Sequence, residues 1–439
     1  MAESGAFGHS RRISDSAITA VQDHALYQQL LGITAPWRAR SVEVNRKEGE
    51  ILIHLDTDET SIPLCPTCGA PAPVHDHRER RWRHLDTVQF RTILIARVPR
   101  VSCPLHGIHG ISVPWAEQNA RFTALFEALV IDWSLESSLS AVARMLKLTW
   151  DQVSGIQDRA VERGLARRER QKPVRIGVDE TSFQKHHEYV TVVCDVDAPK
   201  GTGVLFVADD RKEASLAPFF EQTGAWGRHG IEHVAMDMHQ PFINATRAAL
   251  ADADSRIVFD KFHVAKHLGD AVNDVRIAEH RALRAKGDHR LTGTKYAFLR
   301  NTDALTSHAR QTLAALKDSG LKVARAWAIK EMAMDLWRYT SRAWAEKAWT
   351  RRYGWAIRSR LEPIMRVARM IKAHWDGVMN AVTSDTTNAR SESLNSCIQW
   401  IKRKACGFRN RDRFRTAIYF HLGRLDLYPE SLKFAHTNS

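Results

Sequence analysis

Two short apolar segments of this chain each carry an aspartate, and this feature constrains the fold most. In VRIGVDETSF the apolar residues alternate toward one face, and Asp179 falls on the other face near the strand's end. In HVAMDMH, Asp237 again ends an apolar strand. Because an unpaired carboxylate within a sheet is costly, the two aspartates predict a cation between them, and Mg²⁺ or Mn²⁺ suits oxygen ligands. The alternative is that both acids cap nearby helices.

A third acid, Glu392, lies on the predicted helix SESLNSCIQWIKRKACG. At helical spacing the helix has one apolar stripe, and a polar stripe beside it that places Glu392 and Asn395 in a cleft. The predicted order, three strands, a helix, a strand, a helix and a strand, matches a ribonuclease-H-like fold with acids on the first strand, the fourth strand and a late helix. Asp260 and His263 in FDKFH are rival candidates, and Asp260 is also interpreted as an acid that organises the adjacent segment.

Two tight Cys/His pairs lie toward the N-terminus. Cys65-Pro-Thr-Cys68-Gly and Cys103-Pro-Leu-His106-Gly have matched spacing that suits a tetrahedral zinc ion. Four protein ligands leave no open position, so this Zn²⁺ is expected to be structural. The alternatives are four ordinary residues in a reducing compartment, or a fourth ligand other than His106. Three further histidines could take that place: His77, His84 and His109.

The segment SLSAVARMLKLTWDQVSGIQDRAVERG predicts two helices joined by a tight turn. Thr149 and Gln152 form a capping-box start for the second helix, and Gly164 is a suitable stop. Such a helix-turn-helix can place its second helix in a DNA major groove. A plain helical hairpin is the alternative. The residues expected to face outward toward DNA are Gln152, Ser154, Gln157 and Arg163.

The formal net charge of +14 over 439 residues favours a polyanionic partner, with nucleic acid ahead of an anionic membrane surface. We find no apolar run long enough to span a bilayer and no N-terminal signal segment, so a cytoplasmic protein is expected. Basic residues after Glu392 are expected to extend a DNA-binding surface. They include Lys402, Arg403, Lys404 and Arg409.

The predicted fold class is multidomain α+β, with a zinc knuckle, a helix-turn-helix and an α/β catalytic domain that an all-helical insertion interrupts. Most tryptophans of that insertion are expected in its core, with one or two contacting bases. The predicted segments are an N-terminal arm (1–38), a zinc-binding domain (39–115), a helix-turn-helix domain (116–168), a first catalytic part (172–265), the insertion (266–375), a second catalytic part (376–425) and a tail (426–439).

Taken in order, these motifs resemble the ISL3 family of bacterial insertion-sequence transposases over nearly the whole chain. The matching pieces are CPTCG, VARMLKLTWDQVSGI, GVDETSF, AMDMHQPF, VFDKFHVAKHL, AIKEMAMDLW and SESLNSCIQWIKRKACGFRN. The resemblance implies an Asp-Asp-Glu site at Asp179, Asp237 and Glu392. Two Mg²⁺ (or Mn²⁺) ions at that site would serve DNA cleavage and strand transfer.

The knuckle and helix-turn-helix suit recognition of terminal inverted repeats, and joining two DNA ends predicts at least a homodimer on DNA. Two alternatives stay open: a nuclease of the same fold that cuts without rejoining, such as a junction resolvase, and a DNA-binding regulator that has lost catalysis. Inverted repeats flanking the reading frame would favour the transposase.

Overall fold

The computed structural model of this chain describes residues 18–21, 24–58, 62–184, 188–300, 305–317, 319–384, 386 and 389–432. Two compact units divide the chain. Unit 1 comprises Met1–Arg167 and Asp426–Ser439, and unit 2 comprises Arg168–Leu425. Residues 1–17 of the arm predicted at 1–38, and residues 433–439 of the tail predicted at 426–439, lie outside the described residues. Within the described part of the chain, no helix combines the length and apolar character needed to cross a bilayer.

Unit 1 contains a six-stranded sheet in the order β1-β2-β3-β5-β4, with β6 beside β5. Its neighbouring strands are antiparallel except for the parallel pair β3 and β5. Alternating buried residues along β3 fill its core, together with Trp37 and Trp82, which both pack edge-on against Trp115. The elements are β1 (Ile18–Val21), α1 (His24–Leu30), β2 (Trp37–Asn45), β3 (Glu50–Thr57), β4 (Val74–Arg83), β5 (Arg91–Cys103) and β6 (Gly107–Gly110).

Three helices follow this sheet: α2 (Ala124–Glu136), α3 (Leu139–Leu146) and α4 (Trp150–Arg167). The Thr149 amide donates to Gln152 Oε1 at 2.8 Å and the Gln152 amide donates to Thr149 Oγ1 at 3.2 Å. The predicted capping box is therefore confirmed. The predicted stop at Gly164 is wrong, because Gly164 is buried inside α4 and the helix continues beyond it.

Unit 2 contains a five-stranded sheet in the order β11-β10-β7-β8-β9. Strands β7, β8 and β9 form an antiparallel meander, and β10 and β11 run parallel to β7. Helices connect the later strands, so this part of the chain is α/β. The elements are β7 (Arg175–Gln184), β8 (Glu188–Asp195), β9 (Val204–Ala208), α5 (Glu213–Gly230), β10 (His233–Met236), α6 (Gln240–Ala249), α7 (Ala253–Arg256) and β11 (Ile257–Phe259).

A block of helices follows β11, and its core is continuous with one face of the sheet. Trp349 is buried and stacks on Trp375, Trp327 is half-buried against the same core, and Trp344 is 63% exposed. The helices are α8 (Lys261–Arg284), α9 (Lys295–Leu299), α10 (Ser307–Lys317), α11 (Lys322–Met334), α12 (Arg342–Arg358), α13 (Glu362–Ala373), α14 (Trp375–Thr383), α15 (Ala389–Lys404) and α16 (Arg411–Leu422).

Candidate active site and metal centre

Strand register brings Asp179 and Asp237 together in unit 2. The last paired residues of β7 and β10 are Gly177 and Ala235, and each aspartate follows two residues later, Asp179 within β7 and Asp237 directly after the end of β10. Neighbouring parallel strands are about 4.8 Å apart, so the two aspartates are neighbours. Asp179 lies within β7 rather than near its end as predicted, because β8 continues to pair with β7 as far as Gln184.

Helix α15 lies along β7 and contacts it through one polar stripe. Asn395 Nδ2 donates to Asp179 Oδ2 at 2.8 Å, and Gln399 Nε2 donates to Thr181 Oγ1 at 3.1 Å. Glu392 is exposed and lies almost one turn before Asn395, on the side of the helix that approaches Asp179. The structure therefore brings the helix with the third acid to the strand with the first.

The electrostatics of these acids suit a cation. Burial is the main cause that raises the pKa of Asp179 to about 7, and the neighbouring carboxylates of Asp237 and Glu392 add to it. Asp237 Oδ1 is buried and has no hydrogen-bond partner among the described residues. All three side chains offer the oxygen ligands that Mg²⁺ prefers. Their oxygens do not converge within 4.8 Å as a group in the described part of the chain.

The rival candidates lie beside these acids. Asp260 is buried and accepts a hydrogen bond from the Phe262 amide at 3.0 Å, which makes it the N-cap of α8. This matches its interpretation as an acid that organises the adjacent segment. His263 lies in the first turn of the same helix.

A second candidate site lies in unit 1. Cys65, Cys68, Cys103 and His106 offer ligand atoms that all lie within 4.8 Å of one another. Cys68 Sγ is 3.8 Å from Cys103 Sγ, and His106 Nδ1 is 3.5 Å from Cys103 Sγ. A tetrahedron with Zn–S bonds of about 2.3 Å has edges of about 3.8 Å, so the four atoms fit a zinc ion.

The turns that hold these ligands explain the matched sequence pairs. Gly69 and Gly107, which follow the second ligand of each pair, have φ values of 70° and 77°. Residues with a Cβ rarely adopt this left-handed conformation. Backbone amides of Cys68 and Thr67 lower the pKa of the Cys65 thiol to about 6, which favours a thiolate ligand.

The outward orientation predicted for α4 is wrong at three of four positions. Ser154 and Gln157 are only 4% and 6% exposed, because α4 packs on its neighbouring helices with a broad face. The Arg163 guanidinium binds Glu117 Oε2 at 3.1 Å and Glu127 Oε2 at 3.4 Å. Gln152 is partly exposed, and its amide oxygen serves the capping box.

Sequence reasoning missed exposed basic residues next to the turn. Arg144 at the end of α3 and Lys147 in the turn are both exposed. The run ARMLK contains both basic residues, but the helix prediction used only the apolar residues of this run. The exposed positions of α4 include the acids Asp151 and Glu162. Positive charge therefore lies at the turn rather than along α4.

The basic residues after Glu392 divide into two groups. Lys402 Nζ donates to the Ser182 carbonyl at 2.6 Å, and Lys404 lies 4.9 Å from the Trp400 ring centroid. Arg403 and Arg409 are exposed. Lys402 thus joins α15 to β7, while the two arginines point into solvent.

Comparisons with known proteins agree with this arrangement. A family model for the ISL3 group, described as a transposase, matches residues 176–418, more than half of the chain. A model described as the zinc-finger of transposase IS204/IS1001/IS1096/IS1165 matches residues 62–106. A third, the helix-turn-helix domain of transposase family ISL3, matches residues 111–161. The fold and sites therefore define a DNA-binding transposase with a zinc ribbon and a helix-turn-helix.

The chain belongs to the ISL3 family of transposases, which confirms the resemblance seen in the sequence. It is 27% identical over 415 residues to the transposase for insertion sequence element IS1557 of Mycobacterium tuberculosis, covering 88% of this chain and 92% of that protein. It is also 27% identical over 358 residues to the transposase for insertion sequence element IS1001 of Bordetella parapertussis, covering 80% and 87%.

Proposed function

We propose that this transposase cuts and joins DNA with an Asp-Asp-Glu site formed by Asp179, Asp237 and Glu392. The observation that carries the proposal is the adjacency of the two aspartates on parallel strands, with α15 bound to Asp179 through Asn395. The unpartnered buried oxygen of Asp237 and the raised pKa of Asp179 support a cation between them.

We further propose that unit 2 is a ribonuclease-H-like domain. Its strand order and the placement of acids after the fourth strand and on a late helix support this fold. The helical segment predicted at 266–375 would be an insertion, although α8 begins earlier, at Lys261, and α14 continues to Thr383. The other predicted segment boundaries stand as proposals in the same way.

The proposed reaction is a phosphoryl transfer in two stages. A water oxygen bonds to the scissile phosphorus, the bond to the 3′ oxygen breaks, and a 3′-hydroxyl is released. The oxygen of that hydroxyl then bonds to a phosphorus of the target DNA while the bond from this phosphorus to the target's 3′ oxygen breaks. The proton lost by the attacking hydroxyl is balanced by the proton gained on the target's released 3′-hydroxyl, so one phosphodiester replaces another. Two Mg²⁺ (or Mn²⁺) ions, when bound, would supply the positive charge that activates the attacking oxygen and stabilises the leaving one. Asp179, Asp237 and Glu392 would hold those ions, and Asn395 would orient Asp179.

DNA recognition is proposed for unit 1. The helix-turn-helix would bind the terminal inverted repeats, with Arg144, Lys147 and Gln152 nearest the DNA, since these residues are exposed or partly exposed. The zinc ribbon would hold one structural Zn²⁺ through Cys65, Cys68, Cys103 and His106, whose ligand atoms already fit the ion. Because two ends are joined, we propose at least a homodimer on DNA.

Cleavage of a labelled duplex that carries the element's own end, in the presence of Mg²⁺, tests the catalytic site. Asp179→Asn, Asp237→Asn and Glu392→Gln should each bind the duplex and lose cleavage by at least about a hundredfold, because each loses a charged ligand. Glu221→Gln, which changes an exposed acid on α5, is a control that should cut normally. Normal cutting by Glu392→Gln would show that the third ligand is misassigned. A wild-type protein that binds the duplex without cutting it would favour a DNA-binding regulator that has lost catalysis.

A further inference from the structure

The third parallel strand of the unit 2 sheet also ends in an aspartate. Met236 of β10 pairs with Phe259 of β11, so Asp237 and Asp260 are the next residues on adjacent parallel strands. The Asp260 backbone is extended, with φ −66° and ψ 128°, and its amide donates to the Met236 carbonyl at 3.2 Å. The strand register therefore extends as far as these two aspartates.

All three strand aspartates face the same side of the sheet. Val178, Met236 and Phe259 precede them and belong to the large core of unit 2. Successive residues of an extended strand point to opposite faces. Asp179, Asp237 and Asp260 therefore point away from that core, toward the face on which the proposed metal site lies.

Capping alone does not account for both oxygens of Asp260. Asp260 is 7% exposed, and its Oδ1 accepts the hydrogen bond from the Phe262 amide that an N-cap requires. Asn or Ser would cap α8 with one oxygen and without a charge. Oδ2, however, is buried and has no hydrogen-bond partner among the described residues, as is the case for Oδ1 of Asp237. Buried carboxylate oxygens without partners are costly, and a divalent cation would satisfy both.

We propose that Asp260 is a further ligand of the metal site, with Oδ2 binding a divalent cation beside Asp237. The inference rests on the proposed function, since it adds a fourth carboxylate to the Asp-Asp-Glu site. Asp260 then has two roles, in which one oxygen begins α8 and the other holds the ion. The start of α8 is thereby fixed to the metal site.

Titration of the full-length protein with Mn²⁺, followed by the electron paramagnetic resonance signal of the free ion, tests this role without any cleavage assay. Asp260→Asn and Asp260→Ser both keep a capping oxygen, and each should weaken Mn²⁺ binding by at least about tenfold. The matched control is Asp252→Asn at the N-terminus of α7. Asp252 is exposed and makes no side-chain cap, so this variant should bind Mn²⁺ like the wild type.

The remaining outcomes separate the two proposals. If Asp237→Asn loses Mn²⁺ binding while both Asp260 variants bind normally, Asp260 is only a helix cap and the catalytic proposal stands. If Asp179→Asn and Asp237→Asn both bind like the wild type, the proposed site is wrong and the Asp260 inference falls with it. Thermal unfolding without metal should leave Asp260→Asn as stable as the wild type, and a large loss of stability would also contradict the inference.

Discussion

Asn395 binds the carboxylate oxygen of Asp179 that the neighbouring backbone amide leaves free. Asp179 Oδ1 accepts the Glu180 amide at 2.8 Å, and Oδ2 accepts Asn395 Nδ2 at 2.8 Å. Because both oxygens accept a hydrogen bond, the Asp179 side chain is held in one orientation. Hydrogen bonds donated to a carboxylate also favour its charged form, which is the form that binds a metal. Asn395 is therefore a positioning residue in the proposed site.

Replacing Asn395 with Ala should lower kcat for cleavage by about 10–100-fold and raise the Mg²⁺ concentration needed for half-maximal activity. DNA affinity should not change, because Asn395 acts through Asp179. The control is Gln399→Ala, which removes a similar bond from α15 to β7 but leaves the acids untouched. If both variants lose activity equally without a change in Mg²⁺ dependence, Asn395 only supports packing.

The zinc ligands allow a second test at the level of single residues. His106→Ala should reduce bound zinc from one ion per chain to none, because three ligands do not close a structural site. His77→Ala and His109→Ala should retain zinc, since their ligand atoms do not belong to the convergent group. Zinc content measured by atomic emission on the purified chains checks this. Loss of zinc in His109→Ala, with retention in His106→Ala, would show that His109 is the fourth ligand and His106 is not.

At the scale of helices and strands, the features that depend only on neighbouring residues, such as helix positions and caps, are predictable from the sequence. Apolar period and capping residues identified the helix pair, and Thr149 and Gln152 make the bonds expected of them. The orientation of α4 was not predictable in this way. Arg163 is fixed by Glu127 on α2, a partner that periodicity within α4 cannot reveal.

The same limit applies to the candidate active site. An acid after an apolar strand is a local signal, and it found Asp179 and Asp237. Which strands are neighbours, and in what register, depends on pairing across distant parts of the chain. That information places Asp260 beside Asp237, and it shows that the Lys402 ammonium donates to the Ser182 carbonyl.

Two helical glycines test how closely α14 packs on β11. A Cβ at Gly377 would lie 2.4 Å from the ring of Phe259, whereas a Cβ at Gly269 in α8 would meet nothing within 4 Å. Gly377→Ala should therefore destabilise the protein by about 1–2 kcal/mol, because overpacking exceeds the gain in helix propensity. Gly269→Ala should stabilise it by up to about 1 kcal/mol. Urea unfolding measures both, and equal stabilisation would contradict this packing.

For the whole molecule, the net positive charge attracts DNA whatever its base sequence. The net charge of +14 supplies attraction to any DNA, and exposed arginines at and beyond the C-terminal end of α15 would add local contacts. Arg403 and Arg409 are exposed, whereas the ammonium of Lys402 is bound to the Ser182 carbonyl. The residues of this basic segment should therefore differ in what they contribute to DNA affinity.

The salt dependence of DNA binding distinguishes these contributions. Each phosphate contact contributes about 0.9 to the slope of log affinity against log salt concentration. The double variant Arg403→Ala/Arg409→Ala should therefore flatten that slope by about 1–2 and weaken binding to specific and non-specific duplexes alike. Lys402→Ala should leave the slope unchanged and lower the melting temperature instead, because it removes a bond between α15 and β7. Fluorescence anisotropy across a NaCl series measures the slopes. If only Lys402→Ala flattened the slope, its ammonium would have to leave Ser182 to bind a phosphate, and the exposed arginines would contribute nothing to phosphate binding.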